Sequence, residues 1–92
     1  MPLDNNRKKT LKAEAHHLKP IVRIGSKGLT AGVVQETGQA LDSHPLLKVH
    51  IALDDREERR ETAAQLAQAT RSEIVSQIGK TFTLYRQKEP DA

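Results

Sequence analysis

The chain has 92 residues, 36% hydrophobic and 29% charged, with 15 basic against 12 acidic residues for a formal charge of +3; this is the size of one small domain. It has no cysteine, which excludes a disulfide scaffold, a thiolate nucleophile and a cysteine-based zinc site. Phe82 and Tyr85 are its only aromatic residues, so the core must be built from Leu, Ile, Val and Ala.

The first predicted element is a helix from Asn6 to Lys19, with Leu11, Ala15 and Leu18 on one stripe and Lys8, Lys9 and Lys12 facing water or a partner. Pro20 ends it, because the residue before a proline is pushed out of helical geometry. Ile21 to Ile24 is short, β-branched and bounded by Pro20 and Gly25, and reads as a strand. Gly25-Ser26-Lys27-Gly28 is a tight turn, and Thr30 is a candidate N-cap for a helix to about Leu41 or Ser43. Val33, Val34, Thr37, Ala40 and Leu41 form its apolar side, and Gly38 inside it suggests close packing. Leu46 to Leu53 alternates Leu47, Val49, Ile51 and Leu53 with Lys48, His50 and Ala52, the period-two pattern of a half-buried strand.

Asp55 is a candidate N-cap for the third helix, with Glu58 three residues on as an acidic form of the capping box. This helix runs to about Arg71, with Ala63, Leu66, Ala67 and Thr70 inward. Two strands close the chain, Ile74 to Ile78 and Thr81 to Gln87, and the Gly79-Lys80 link between them suggests a type II′ hairpin turn. The order α-β-α-β-α-β-β predicts a single α/β (α+β) domain over residues 1–87, with a mixed sheet and a frayed polar tail at 88–92. Its β-α-β crossovers are expected to be right-handed, with their helices on one face of the sheet. The amino-terminal segment has no apolar stretch behind its basic residues and no apolar run approaches a span of roughly 18 residues. A cytoplasmic protein with no membrane partner is therefore expected.

Four histidines, His16, His17, His44 and His50, include no pair at the i, i+4 spacing of a helical zinc site. Asp54, Asp55, Glu57 and Glu58 open a helix, where acidic residues are favoured by the macrodipole. No Ser/His/Asp arrangement can be argued. The expectation is no catalytic residue, no metal, no cofactor and no small-molecule substrate.

Charge placement says more than total charge. Residues 1–30 hold seven basic and two acidic residues, a balance of +5, whereas residues 31–72 hold five and seven, a balance of −2. The basic third suits a polyanion such as nucleic acid, or is an ordinary solvated surface. Within it, Gly25-Ser26-Lys27-Gly28 lies between a strand and a helix. Its glycines would let the backbone approach a phosphate closely, and the next helix would offer free N–H groups and its positive dipole end. Lys27 adds a cation at the tip, with Lys19 and Arg23 near in sequence. A GxxG turn alone is a weak motif. Phe82 and Tyr85 have opposite parity in one strand, so they cannot form a two-ring stacking platform. Phe82 reads as core and Tyr85 as either core or surface. Backbone and shape recognition of structured RNA by Lys and Arg is what remains.

Pro20-Ile21-Val22-Arg23-Ile24-Gly25-Ser26-Lys27-Gly28-Leu29-Thr30, Leu47-Lys48-Val49, and Ile78-Gly79-Lys80-Thr81 with Leu84-Tyr85-Arg86 resemble the bacterial YhbY-type proteins, the stand-alone form of the CRM domain (chloroplast RNA splicing and ribosome maturation). The resemblance extends from about Leu11 to Arg86. It implies a four-stranded mixed sheet with three helices, similar to the C-terminal domain of bacterial translation initiation factor three. It also implies RNA binding through the GxxG loop and adjacent basic surface, and association with precursors of the large (50S) ribosomal subunit. Carried over by position, the RNA-binding set is Gly25, Ser26, Lys27 and Gly28 with Lys19 and Arg23. Lys80 and Arg86 match family positions too, and Lys12 widens the surface from the first helix.

The sequence therefore predicts a non-catalytic, monomeric RNA-binding protein of ribosome biogenesis. The alternative is a protein-interaction or initiation-related module whose basic face docks a partner.

Overall fold

Asp4 opens the first helix by accepting a hydrogen bond on its side chain from the Arg7 amide at 2.7 Å. The structure is a computed structural model and describes residues 4–87. Helix α1 (Asn5–Ala15) ends four residues before the Lys19 expected from sequence. Its last carbonyls are taken by tight i+3 bonds, His16 N–H to Ala13 O and Leu18 N–H to Ala15 O. The chain has thus left α-helical geometry before Pro20 can interrupt it, and Pro20 becomes the first residue of β1 (Pro20–Ile24).

Helix α2 (Ala31–Ser43) is capped by Thr30, whose hydroxyl accepts from the Val33 amide at 3.2 Å. Strand β2 (Leu46–Ile51) shows the expected alternation, with Leu47, Val49 and Ile51 buried. It stops two residues short of Leu53, and its last ladder bond to β1 runs from the Ala52 amide to the Ile24 carbonyl, 2.8 Å away. Asp55 caps α3 (Arg56–Thr70), but through the Glu57 amide, and no bond reciprocates from Glu58 among the described residues. Helix α3 ends on Arg71, which takes a left-handed conformation at φ +58°. Strands β3 (Glu73–Ile78) and β4 (Thr81–Tyr85) pair through a two-residue link. There Gly79 has φ +59° and Lys80 does not have positive φ, the sign pattern of the expected II′ turn. Strand β4 ends at Tyr85, two residues short of the expected Gln87, and its last ladder bond to β2 runs from the Arg86 amide to the Pro45 carbonyl. The tail expected at 88–92 lies outside the described residues.

The sheet order is β1-β2-β4-β3, with β1 and β2 parallel and β4 antiparallel to both its neighbours. The mixed four-stranded sheet and three helices are as expected. Leu41 of α2 and Ala63, Leu66 and Ala67 of α3 join Val22, Ile24, Leu47, Val49, Ile51, Phe82 and Leu84 in one core. Helices α2 and α3 therefore share one face of the sheet. Helix α1 packs on the other, touching β2, β3 and β4 and burying Leu11 and Ala15. Gly38 is not a close-packing point, since a Cβ there would meet nothing within 4 Å.

Candidate nucleic-acid interface

The parallel β1-β2 pair and the direction of β4 bring three connections to one end of the sheet. These are the Gly25–Gly28 turn after β1, residues 52–55 after β2, and the Gly79-Lys80 hairpin before β4. Two backbone bonds tie them together: Ala52 N–H to Ile24 O and Ile51 N–H to Lys80 O, both 2.8 Å. Arg59 holds the middle connection from α3, its Nη1 donating to the Leu53 and Asp54 carbonyls at 2.7 and 2.8 Å.

The GxxG segment is a β-turn closed by Gly28 N–H to Gly25 O at 3.0 Å. Gly28 has φ +71°, where an L side chain is strained by roughly 1–2 kcal/mol. Gly25 has ordinary backbone geometry and no neighbour within 4 Å of a would-be Cβ, so no internal packing demands glycine there. Ser26 and Lys27 are exposed at the tip. Thr30 satisfies Val33 through its side chain and Val34 through its carbonyl. The amides of Ala31 and Gly32, in the first turn of α2, have no intramolecular acceptor among the described residues and point out at the positive end of the helix. A phosphate oxygen fits such a place, and the exposed Lys27 precedes it in the same connection.

The structure places the nine sequence-nominated residues in three groups. Gly25, Ser26, Lys27, Gly28, Arg23 and Lys80 share the loop end. Lys80 is partly engaged there, its Nζ 3.1 Å from Asp54 Oδ1, but Asp54 is almost fully exposed and holds it loosely. Lys19 lies at the far end of β1, about 15 Å off at roughly 3.3 Å per residue, and Lys12 sits on the exposed side of α1 beside Lys9, Ala13 and His16. Arg86 lies beyond β4 at the opposite end. Its guanidinium donates to the Gly38 and Thr70 carbonyls at 2.9 and 3.0 Å and pairs with Asp42. That arrangement ties the ends of α2 and α3 to the sheet.

Sequence reasoning missed a row of side chains on the α1 side of the sheet. Arg23 pairs with His50, His50 with Thr81, and Thr81 with Ile78, across all four strands at the loop end. Lys48 and His50 were legible as the polar side of β2, but their cross-strand partners were not. Neither aromatic residue is a free platform. Phe82 is buried, and the Tyr85 ring is occupied by Arg7, whose guanidinium carbon lies 5.4 Å from its centroid. The Tyr85 hydroxyl accepts from Arg7 Nη2 at 3.3 Å, and this bond raises the Arg7 pKa further. Among the described residues, no group of three His, Asp or Glu side chains converges as metal ligands would, and no helix is long and apolar enough to cross a membrane.

The model of the CRS1 / YhbY (CRM) domain family matches residues 3–86. The chain belongs to the CRM family. A protein from Pseudomonas aeruginosa, named a probable RNA-binding protein, is 42% identical over 86 residues, covering 94% of this chain and 83% of that protein. A Haemophilus influenzae protein named an RNA-binding protein is 40% identical over 87 residues, covering 95% and 88% of the two chains. The solution structure of a hypothetical protein from Staphylococcus aureus superposes with a TM-score of 0.85 at 31% identity, over 98% of this chain and 94% of that one. The CRM fold expected from the sequence motifs is thus the fold of this domain.

Proposed function

We propose that this CRM protein is a non-catalytic, cytoplasmic RNA-binding protein that acts as a monomer on precursors of the large ribosomal subunit. The observation that carries the reading is the loop end itself. An exposed Gly25–Gly28 turn presents Lys27 in the connection that leads into the uncommitted first-turn amides of α2, with Arg23 and Lys80 flanking it. The RNA-binding names of its relatives support the ligand class. The net charge of +5 over residues 1–30 supports long-range attraction to a polyanion.

In this mechanism a backbone phosphate sits on the Ala31 and Gly32 amides and Lys27. Arg23 and Lys80 contact neighbouring phosphates, and Lys12 and Lys19 extend the field along the other layer. Arg86 acts in the fold rather than on RNA. With no exposed ring pair available, affinity comes from phosphates and shape, so it should fall steeply with salt.

Crosslinking in cells, followed by sequencing of the attached RNA, tests the assignment. Large-subunit ribosomal RNA is the expected product, and scattered messenger RNA would overturn the ribosomal part. Pull-downs with and without ribonuclease test the ligand class. Partners that persist after RNA digestion would favour docking of an acidic protein instead.

A further inference from the structure

The α1 layer does not cover the whole sheet. Helix α1 ends at Ala15 and the chain returns through Leu18 to Pro20, leaving the Arg23–His50–Thr81–Ile78 row at the margin. A groove of about 190 Å³ opens there, lined by Leu18, Pro20, Lys48, Ile78, Thr81 and Thr83. Its floor is aliphatic, and Ile78 is 66% exposed. A single exposed isoleucine is ordinary on a protein surface. This one forms a wall of a groove whose rim is cationic and whose lining contains no carboxylate. Lys48 has no acidic partner within 4 Å among the described residues, and Arg23 lies in the next row. Ile78 also leads directly into Gly79-Lys80, so the groove is continuous with the loop end.

We propose that this groove is a subsite for one unpaired nucleotide of the bound RNA, with the base against Leu18, Pro20 and Ile78 and its phosphate at Lys48. The inference rests on the RNA-binding reading and deepens it. An aliphatic floor beside an unpaired cation matches a nucleotide, which carries an apolar face and an anion on one unit. A base inside a duplex is stacked on its neighbours and cannot enter, so the subsite selects RNA with a bulge or loop. The half-buried Thr81 offers its hydroxyl to the base edge without demanding a particular base, while Thr83 is buried beneath. The GxxG end then holds the backbone while the groove senses that a nucleotide is unpaired.

The test compares binding of a short, fully paired RNA duplex with the same duplex carrying one unpaired uridine. The proteins are the wild type, Ile78→Ser and Lys27→Ala. Ile78 is largely exposed, so its replacement leaves the core intact. Wild type should prefer the bulged RNA by about fivefold to tenfold, the scale of one or two buried methylene equivalents. Ile78→Ser should lose that preference and bind the paired duplex as wild type does, whereas Lys27→Ala should weaken both RNAs alike. A preference that is absent in wild type, or that survives Ile78→Ser, overturns the subsite. Unchanged binding of both RNAs by Lys27→Ala would instead overturn the loop reading. Sedimentation gives an independent outcome: self-association abolished by Ile78→Ser would assign the groove to a second copy of the chain and overturn the proposal.

Discussion

Replacing Arg86 by Ala should destabilise the fold and leave the RNA affinity of the folded protein unchanged. Its guanidinium bonds the carbonyls of Gly38 and Thr70 at 2.9 and 3.0 Å, and its side chain is 25% exposed. Hydrogen bonds from a charged donor contribute about 1.5–3 kcal/mol each, but water can reach these carbonyls once the partly exposed side chain is gone, which favours the lower figure. The pair with Asp42 adds little, because that carboxylate is 77% exposed. The sum is a loss of about 3 kcal/mol. For a domain of this size that lowers Tm by roughly 12–24 °C, at about 4–8 °C per kcal/mol. Urea unfolding followed by circular dichroism measures it, with Asp42→Asn as a control expected to cost under about 1 kcal/mol. A stable Arg86→Ala protein with weakened RNA binding would refute the reasoning and return Arg86 to the interface.

Three further outcomes follow from single contacts. Asp54→Asn removes the carboxylate 3.1 Å from Lys80 Nζ and should tighten RNA binding about two- to fivefold at low salt; unchanged affinity in a filter-binding titration would take Lys80 out of the interface. Arg71→Gly relieves a left-handed residue at the end of α3 (φ +58°) and should stabilise the fold by about 1 kcal/mol, read as a higher urea midpoint with an unchanged slope. Thr30→Ala removes the bond to the Val33 amide and should cost about 1 kcal/mol. A loss below a few tenths in urea unfolding would show that α2 does not depend on this cap.

Local signals carried most of the fold. Thr30 and Asp55 cap the helices they were expected to cap, and the alternation from Leu47 to Ile51 puts those side chains in the core. Element ends were less legible. The end of α1 at Ala15 is set by local i+3 bonds around Leu18 rather than by Pro20 alone. Gly38 resembled a packing contact, yet what uses that position is its carbonyl, reached by Arg86 from 48 residues away. The candidate site divides in the same way. The turn and its cation were legible because Gly25, Lys27, Gly28 and Thr30 are neighbours in sequence. The convergence of Arg23, His50, Thr81 and Ile78 depends on strand order β1-β2-β4-β3, which inserts β4 between β2 and β3. No residue pattern within one segment announces that insertion.

Docking of RNA phosphate at the Gly25–Gly28 turn is tested most directly by the salt dependence of binding. Affinity for large-subunit ribosomal RNA fragments should be measured between about 0.05 and 0.2 M salt for wild type, Lys27→Ala and Gly25→Asp. Lys27→Ala should flatten the slope of log affinity against log salt by about 0.7–0.9, the share of one phosphate. Gly25→Asp has room for its Cβ and ordinary backbone geometry, so it should fold and yet bind more weakly still. Wild-type affinity and slope in both folded variants would contradict the claim and leave the loop a turn that only joins β1 to α2.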